Sequence, residues 1–320
     1  MPRPTPDGRY APSPTGDLHV GNLRTALAAW CMARSGGARF VLRIDDLDPD
    51  RIRPESAARQ LRDLAAIGID WDGEPLVQST QRAQHEAALD RLTAAGFTYP
   101  CFCTRADIRA AASAPHGAQA DGAYAGTCRH LPVDEVDRRR ARGAPHAVRV
   151  RAGSAEVTIE DQLLGTFSGV VDDFVVRRKD GVPAYNLATV VDDATQGVGE
   201  VVRGADLAET TPRQAWLAQQ LGLPAVRYAH VPIVRGVDGT RLAKRHGAVT
   251  LADLAQRGLA AGDVQRLLAE SLGIEVARGA AVTRAGLLAG FDAERIPRED
   301  QFVDPVRFST YVHWADVQAI

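Results

Sequence analysis

The stretch RYAPSPTGDLHVGN, residues 9–22, constrains the fold most. Arg9 to Ala11 suits the end of a buried strand. Pro12, Ser13, Pro14, Thr15 and Gly16 then make a rigid turn, because proline fixes φ and glycine permits positive φ. From Asn22 the pattern NLRTALAAWCMAR is helical, and Gly36 and Gly37 close it as C-cap signals. RFVLRI, residues 39–44, is the compact apolar run of a parallel strand. Strand, tight turn, helix and strand make one βαβ unit. Its turn lies at a helix N-terminus, where backbone N–H groups and the helix dipole favour a phosphate. His19 and Gly21 stand at that point. The glycine lets a ligand approach the backbone, and the imidazole can donate to an anionic oxygen.

The pattern continues as α/β. An acidic loop, DDLDPDR at residues 45–51, follows the second strand, at the sheet edge where ligands of open α/β folds gather. Pro54 is expected in the first turn of a helix ending at Gly68, and a further helix over about 80–95. FTYPCFC reads as a short strand, and Thr104 with Asp107 as the cap of RADIRAAA. RHLPVDEVDRRRARG is a charged helix, while AVRVRA and residues 157–181 alternate like antiparallel strands. Residues 97–183 therefore read as an insertion. The α/β pattern then resumes: Thr211 reads as a cap, Pro212 as the start of a helix ending at Gly222, and YAHVPIV as one buried strand. Thr250 with Asp253 caps LADLAQRGL, and the last residues are weakly patterned.

Composition narrows the function classes. The chain has 320 residues, 45% hydrophobic and 24% charged, and a formal net charge of −2. Nothing global attracts nucleic acid, so any polyanion contact must be a local patch, such as Arg138, Arg139, Arg140 and Arg142 or Arg177 and Arg178. No apolar run is long enough for a bilayer, and MPRPTPDGRY lacks the apolar core of a signal peptide. Four cysteines speak against a disulfide scaffold and favour a cytoplasmic setting. Lys179 and Lys244 are the only lysines in an arginine-rich chain. Lys244 lies in RLAKR, residues 241–245, on a basic, glycine-flanked loop suited to neutralising a departing pyrophosphate.

Read together, PSPTGDLHVGN and RLAKR resemble the paired HIGH and KMSKS signatures of class I aminoacyl-tRNA synthetases. RYAPSPTG, AYNLATVVDD and VVRGADL resemble the glutamyl branch of that class. The resemblance covers about residues 8–255. Only 75 residues follow Arg245, too few for the helical anticodon-binding region of a full glutamyl enzyme. The chain is thus similar to the truncated branch, the glutamyl-queuosine tRNA(Asp) synthetases. The implied fold is a Rossmann-like doubly wound parallel sheet with a zinc-containing insertion and a short helical C-terminal region. The implied division is 1–96 for the first half of the catalytic domain and 97–183 for the inserted acceptor-like subdomain. Residues 184–250 form the second half with the KMSKS-like loop, and 251–320 the C-terminal region.

The resemblance implies ATP-dependent activation of L-glutamate without need for tRNA, then transfer to queuosine in the tRNA(Asp) anticodon, by a monomer. The alternatives are a catalytic core that charges the tRNA 3′ end and an inactive nucleotide- or RNA-binding paralogue. His19 and Lys244 are the implied catalytic residues. ATP, with Mg2+, is expected at Pro12, His19, Gly21, Asn22, Arg241 and Lys244. Glutamate is expected at Arg9, Ser13, Asp45, Tyr185 and Arg203, where arginine suits the carboxylate and Asp45 the ammonium. The chain departs from the family pattern at Asp45 (mostly Glu), at Asn22 in place of a second histidine, and at Arg241 and Ala243 in the second signature. Cys101, Cys103, Tyr124 and Cys128 run in the order CxC…YxxxC, and three thiolates with a fourth ligand suit a tetrahedral, structural Zn2+. On residue chemistry alone, His116 and His130 compete nearly equally for the fourth place; the resemblance favours Tyr124.

Overall fold

The structure, a computed structural model, describes residues 5–112, 124–240, 242, 249–276, 281–308 and 313–318. β1 (Gly8–Tyr10) runs through the proline turn into α1 (Val20–Ser35), and β2 (Phe40–Ile44) returns parallel to β1 with Arg9 opposite Val41. The βαβ unit forms as the pattern requires, but α1 begins at Val20, earlier than its apolar periodicity suggests, because His19 caps it. α1 has no polar face along its middle. Leu23, Ala26, Leu27, Trp30 and Cys31 are all buried, and a later helix, Ala261–Ser271, covers the side that the sheet does not. A fully buried leucine or tryptophan contributes about 1.5–3 kcal/mol, so this helix anchors the first half. Gly8 makes the close approach possible: a Cβ there would lie 2.9 Å from Ala33 Cβ. Burial raises the Cys31 thiol pKa, consistent with packed apolar volume.

α2 (Ser56–Ala66), β3 (Leu76–Val77) and α3 (Arg82–Ala94) complete the first half. Pro54 is not in the first turn of α2. Glu55, at φ 63°, stands at the N-cap, and the left-handed residue delays the helix to Ser56. A 3-10 turn, Gln78–Gln81, likewise precedes α3. Then follow β4 (Thr98–Cys101), α4 (Arg105–Ala112), α5 (Val133–Ala141), β5 (Ala147–Val150), β6 (Ala155–Asp161), β7 (Gly165–Val171) and β8 (Val175–Arg177). β4, β5 and β8 form a small antiparallel sheet. The β6–β7 hairpin instead joins the main sheet, β6 running parallel to a later strand, Arg227–Val231.

The second half brings α6 (Tyr185–Thr195), β9 (Glu200–Gly204), α7 (Thr211–Gln220), β10 (Arg227–Val231) and β11 (Val234–Gly236). The main sheet has seven strands in the order β3-β2-β1-β9-β10-β6-β7. The chain moves outward from β1 to β3, then restarts on the other side at β9, so the topological switch lies between β1 and β9. A crevice opens there at the carboxyl ends of the strands. Thr211 is not the cap of α7. Thr210 holds that place, and the Thr211 hydroxyl is used inside the protein instead. YAHVPIV is two strands, not one: Pro232, which has no N–H for a ladder, falls between β10 and β11.

α8 (Leu251–Gln256), α9 (Ala261–Ser271), α10 (Arg284–Gly290), β12 (Gln301–Val303) and α11 (Trp314–Val317) end the chain. Thr250 and Asp253 form the capping box of α8, as their spacing predicts. β12 pairs in parallel with β11. The Asp300 carboxylate accepts from Ile233 N at 2.9 Å and Arg235 Nε at 2.6 Å. The weakly patterned tail therefore clasps the strand that feeds the RLAKR loop. Among the described residues, no helix is long and apolar enough to cross a membrane.

Candidate active site

A cavity of about 900 Å³ occupies the crevice at the switch point. Arg9, Pro12, Ser13, His19, Gly21, Asn22, Asp45, Tyr185 and Arg203 all line it, brought from both halves of the chain. Arg241 and Lys244 lie outside the described residues. The ends of their loop do not: Leu242 lines the cavity, is buried, and donates from its N to Val234 O at 3.2 Å. At the other end, Val20 N donates to Val249 O at 2.9 Å and His19 forms a β-bridge with Thr250. The residues that follow the RLAKR loop, Val249 and Thr250, thus pair with the first signature.

The first turn is held from beneath. Gln60, buried, donates to Ser13 O at 3.0 Å and Gly16 O at 2.6 Å, while Asp45 N donates to Pro12 O at 3.0 Å and Arg53 N to Pro14 O at 2.9 Å. His19 is the N-cap of α1. Its Nδ1 accepts from Asn22 N at 3.3 Å, and Asn22 Oδ1 accepts from His19 N at 3.3 Å. Asn22 therefore completes a capping box. With Nδ1 as acceptor, the neutral ring carries its proton on Nε2, the nitrogen able to donate to an anion. Gly21 is fixed by the same geometry: a Cβ would meet His19 Cε1 at 3.1 Å and Nδ1 at 3.2 Å.

A buried charge network lies under the cavity. Arg9 Nε donates to Asp193 Oδ1 at 3.2 Å and its Nη1 to Val202 O at 3.2 Å. Arg43 Nη1 reaches the same Asp193 oxygen at 2.5 Å, and its Nε donates to Asp45 Oδ1 at 2.7 Å. Burial opposes ionisation of Asp193, but Arg9 and Arg43 outweigh it and hold its carboxyl below the usual range. Asp45 differs: burial raises its pKa, and Arg43 does not fully offset that. Neither Arg43 nor Asp193 was singled out from the sequence. The signal was present as the acidic pair in AYNLATVVDD, whose second member turns inward from α6.

Arg203 is positioned by a second network. Its Nη1 donates to Gln214 Oε1 at 2.7 Å, its Nη2 to Thr211 Oγ1 at 2.8 Å, and its Nε to His230 Nε2 at 3.1 Å. His230 Nδ1 contacts Asp161 Oδ2 at 2.6 Å. An Nε2 that accepts from a guanidinium requires the proton on Nδ1, so Asp161 sets the tautomer. Burial lowers the pKa of both Arg203 and His230. Sequence reasoning missed Asp161, Gln214 and His230, because they come from three different elements.

Away from the cavity, the thiols of Cys101, Cys103 and Cys128 lie within 4.8 Å of one another. Cys103 Sγ is 3.4 Å from Cys128 Sγ, and the Tyr124 hydroxyl is 3.4 Å from Cys101 Sγ and 3.6 Å from Cys103 Sγ. Ligands of a tetrahedral zinc stand about 3.8 Å apart, so this donor set fits a metal after small adjustment. His130 is exposed and outside the cluster; His116 lies outside the described residues.

An α/β sheet that offers a helix-capping histidine and buried arginines at its switch point is the build of a class I aminoacyl-tRNA synthetase core. The family described as tRNA synthetases class I (E and Q), catalytic domain, matches residues 7–276. The chain is 57% identical over 292 residues to a glutamyl-Q tRNA(Asp) synthetase of Nocardia farcinica, covering 91% of each. It is 46% identical to one of Symbiobacterium thermophilum, covering 91% of this chain and 94% of that one. A crystal structure of a glutamate tRNA ligase from Elizabethkingia meningosepticum in complex with its amino acid superposes with a TM-score of 0.81 at 24% identity. That match spans 93% of this chain and 67% of the other. The chain belongs to the class I glutamyl and glutaminyl synthetase family and, within it, to the glutamyl-Q tRNA(Asp) synthetases.

Proposed function

We propose that the chain activates L-glutamate with ATP, without needing tRNA for that step, and transfers it to queuosine in the anticodon of tRNA(Asp). One observation carries the reading: residues of both signatures and the glutamate set, scattered from Arg9 to Leu242, line one cavity at the switch point. Family membership supplies the reaction class. The glutamate α-carboxylate oxygen bonds to the α-phosphorus of ATP as the bond to pyrophosphate breaks. A hydroxyl of the queuosine cyclopentene ring then takes the glutamyl group and AMP leaves.

Phosphoryl chemistry of this kind needs positioning and charge neutralisation more than a general base. His19 Nε2–H and the α1 N-terminus face the triphosphate, with Pro12, Gly21 and Asn22 shaping the turn. Lys244 supports the departing pyrophosphate, with Arg241 beside it. Arg9 and Arg203 face the side-chain carboxylate; Ser13 and Tyr185 supply hydrogen bonds. Asp45 takes the ammonium, whose charge would relieve the burial that raises its pKa. Mg2+ arrives with ATP. Cys101, Cys103, Tyr124 and Cys128 would hold one structural Zn2+ that braces the chain around β4 and α4. The setting is cytoplasmic and the working unit a monomer.

The test is transfer of labelled glutamate to tRNA(Asp) with and without queuosine. Labelling of the queuosine form alone is expected. Equal labelling of both would replace this reading with 3′-end charging, and no glutamate-dependent exchange of pyrophosphate into ATP would leave a binding protein.

A further inference from the structure

Two arginine runs that are far apart in sequence meet in space. A second pocket, of about 300 Å³, is lined by Arg140, Gly143, Ala144, Pro145, His146, Arg177, Arg178, Lys179 and Gly181, and no carboxylate lines it. The C-terminal end of α5 supplies Arg140, and the end of β8 with its turn supplies the rest of the positive charge. We propose that this pocket binds backbone phosphates of the RNA substrate. The proposal rests on the RNA-modifying reading above and adds the place where the RNA backbone is held.

The charge pattern separates this pocket from ordinary solvated arginines. Arg138 is neutralised by Asp134 at 2.9 Å and Glu135 at 2.8 Å, and Arg139 by Glu135 at 2.6 Å; neither lines the pocket. Arg140, on the same helix, makes no ion pair among the described residues and is exposed. Arg177 has only a 3.9 Å contact to Glu86. Lys179 Nζ donates to a neutral carbonyl, Phe102 O, at 2.9 Å, and its charge also acts on Asp107. Arg178 is bound to Asp180 at 2.6 Å and Asp48 at 3.6 Å, which fixes its stem at the rim. Lined by four cationic side chains, with Asp180, Asp48 and Glu86 paired to two of them from outside the lining, the site suits a phosphate diester, for which both charge and hydrogen-bond donors count.

Its position suits an RNA already engaged at the cavity. Gly181 lines the basic pocket and Tyr185 lines the catalytic cavity. Four peptide steps span at most about 14 Å. Asp48, which pairs with Arg178, lies in the loop that begins at Asp45 in the cavity wall. A nucleotide reaching into the cavity therefore places phosphates only a few nucleotides away over the basic pocket. In a chain of net charge −2, one such local site must supply much of the electrostatic affinity.

The experiment measures binding of queuosine-containing tRNA(Asp) across a salt series, with glutamate-dependent pyrophosphate exchange on each sample. Arg140→Ala and Arg140→Ala/Lys179→Ala are compared with Arg138→Ala and wild type. Each pocket charge removed should weaken binding about tenfold at low salt and reduce the log–log salt slope by about 1. Exchange should stay at the wild-type rate, and Arg138→Ala should match wild type in both assays. If the pocket variants bind as Arg138→Ala does while wild type still modifies tRNA(Asp), the pocket assignment fails and the functional reading stands. If wild type neither binds nor modifies that tRNA, both fail. Lost exchange in a pocket variant would mean a folding effect, and the single Arg140→Lys variant, which keeps the charge, then decides: it must bind as wild type.

Discussion

Gly21→Ala separates the chemistry of the first turn from its stability. Gly21 lies in the first turn of α1, where alanine is ordinarily favoured by about 0.5–1 kcal/mol. The added methyl would sit 3.1 Å from His19 Cε1, 3.2 Å from His19 Nδ1 and 3.6 Å from Val234 Cβ. The backbone of α1 is held by Val249 O, so the imidazole must yield by a few tenths of an ångström. That movement strains an Nδ1 cap already at 3.3 Å and swings Nε2 away from the phosphate position. A lost cap costs about 1 kcal/mol, so folding gains and losses nearly cancel. Catalysis has no such compensation: removing one donor from developing charge costs about 10²–10³ in kcat. The expected outcome is an unfolding midpoint within about 3 °C of wild type, with glutamate-dependent pyrophosphate exchange down about 100-fold. Exchange within twofold of wild type would show that His19 neither needs this orientation nor acts on the phosphate.

Three further outcomes are expected. Thr211→Val removes the hydroxyl that accepts from Arg203 Nη2 at 2.8 Å; KM for glutamate should rise about tenfold, with KM for ATP unchanged in the same exchange assay. Burial holds the pKa of His230 below its ordinary 6.5, so the unfolded chain binds the proton first on acidification. Stability should therefore fall as pH drops from about 6.5 toward the folded value, and denaturant titrations of His230→Asn should lack that slope. Cys128→Ser should lose bound zinc, read by elemental analysis against about one equivalent in wild type. Tyr124→Phe should keep three thiolates and bind zinc about tenfold more weakly.

The sequence carried the fold where its signals were local. Proline and glycine fix the turn after β1 whatever surrounds it, and Thr104–Asp107 and Thr250–Asp253 close their capping boxes within one helical turn. It failed where tertiary contacts competed with a local one. Thr211 has the side chain and the following proline of a cap, yet its hydroxyl is worth more to the buried guanidinium of Arg203, and Thr210 takes the cap position. Pro54 has the right residue type for a first turn, but the left-handed Glu55 defers the helix. That Arg9, Asp45 and Arg203 share one cavity was legible only as a set, because each looks like a surface partner until three strands place them around it. The residues that orient them, Arg43, Asp161, Asp193, Gln214 and His230, have no spacing rule at all. The clasp of β12 on β11 was equally hidden, since a three-residue strand leaves no periodicity to read.

The way those residues are shared also explains why the site must be built from two halves. Arg9 and Arg43 enter from β1 and β2, while their common acceptor, Asp193, enters from α6 in the second half. Removing one partner of such a buried set strands a charge, at about 3–5 kcal/mol, so the halves are locked together by the same groups that shape the pocket. The arginines are consequently oriented before substrate arrives, which lowers the reorganisation needed in the reaction. Asp45 is the member left with an unrelieved burial cost, since the arginine it hydrogen-bonds, Arg43, is shared with Asp193 and the more distant charge of Arg9 does not make up the difference. Arg43 Nη2, in turn, has no hydrogen-bond partner among the described residues. An ammonium brought to Asp45 would offset that burial cost, whereas a dicarboxylate without the amine would leave Asp45 facing a second negative charge. If Asp45 meets the ammonium as proposed, pyrophosphate exchange should run with the α-amino acid and fail with its deaminated analogue; equal rates with both would refute that role for Asp45.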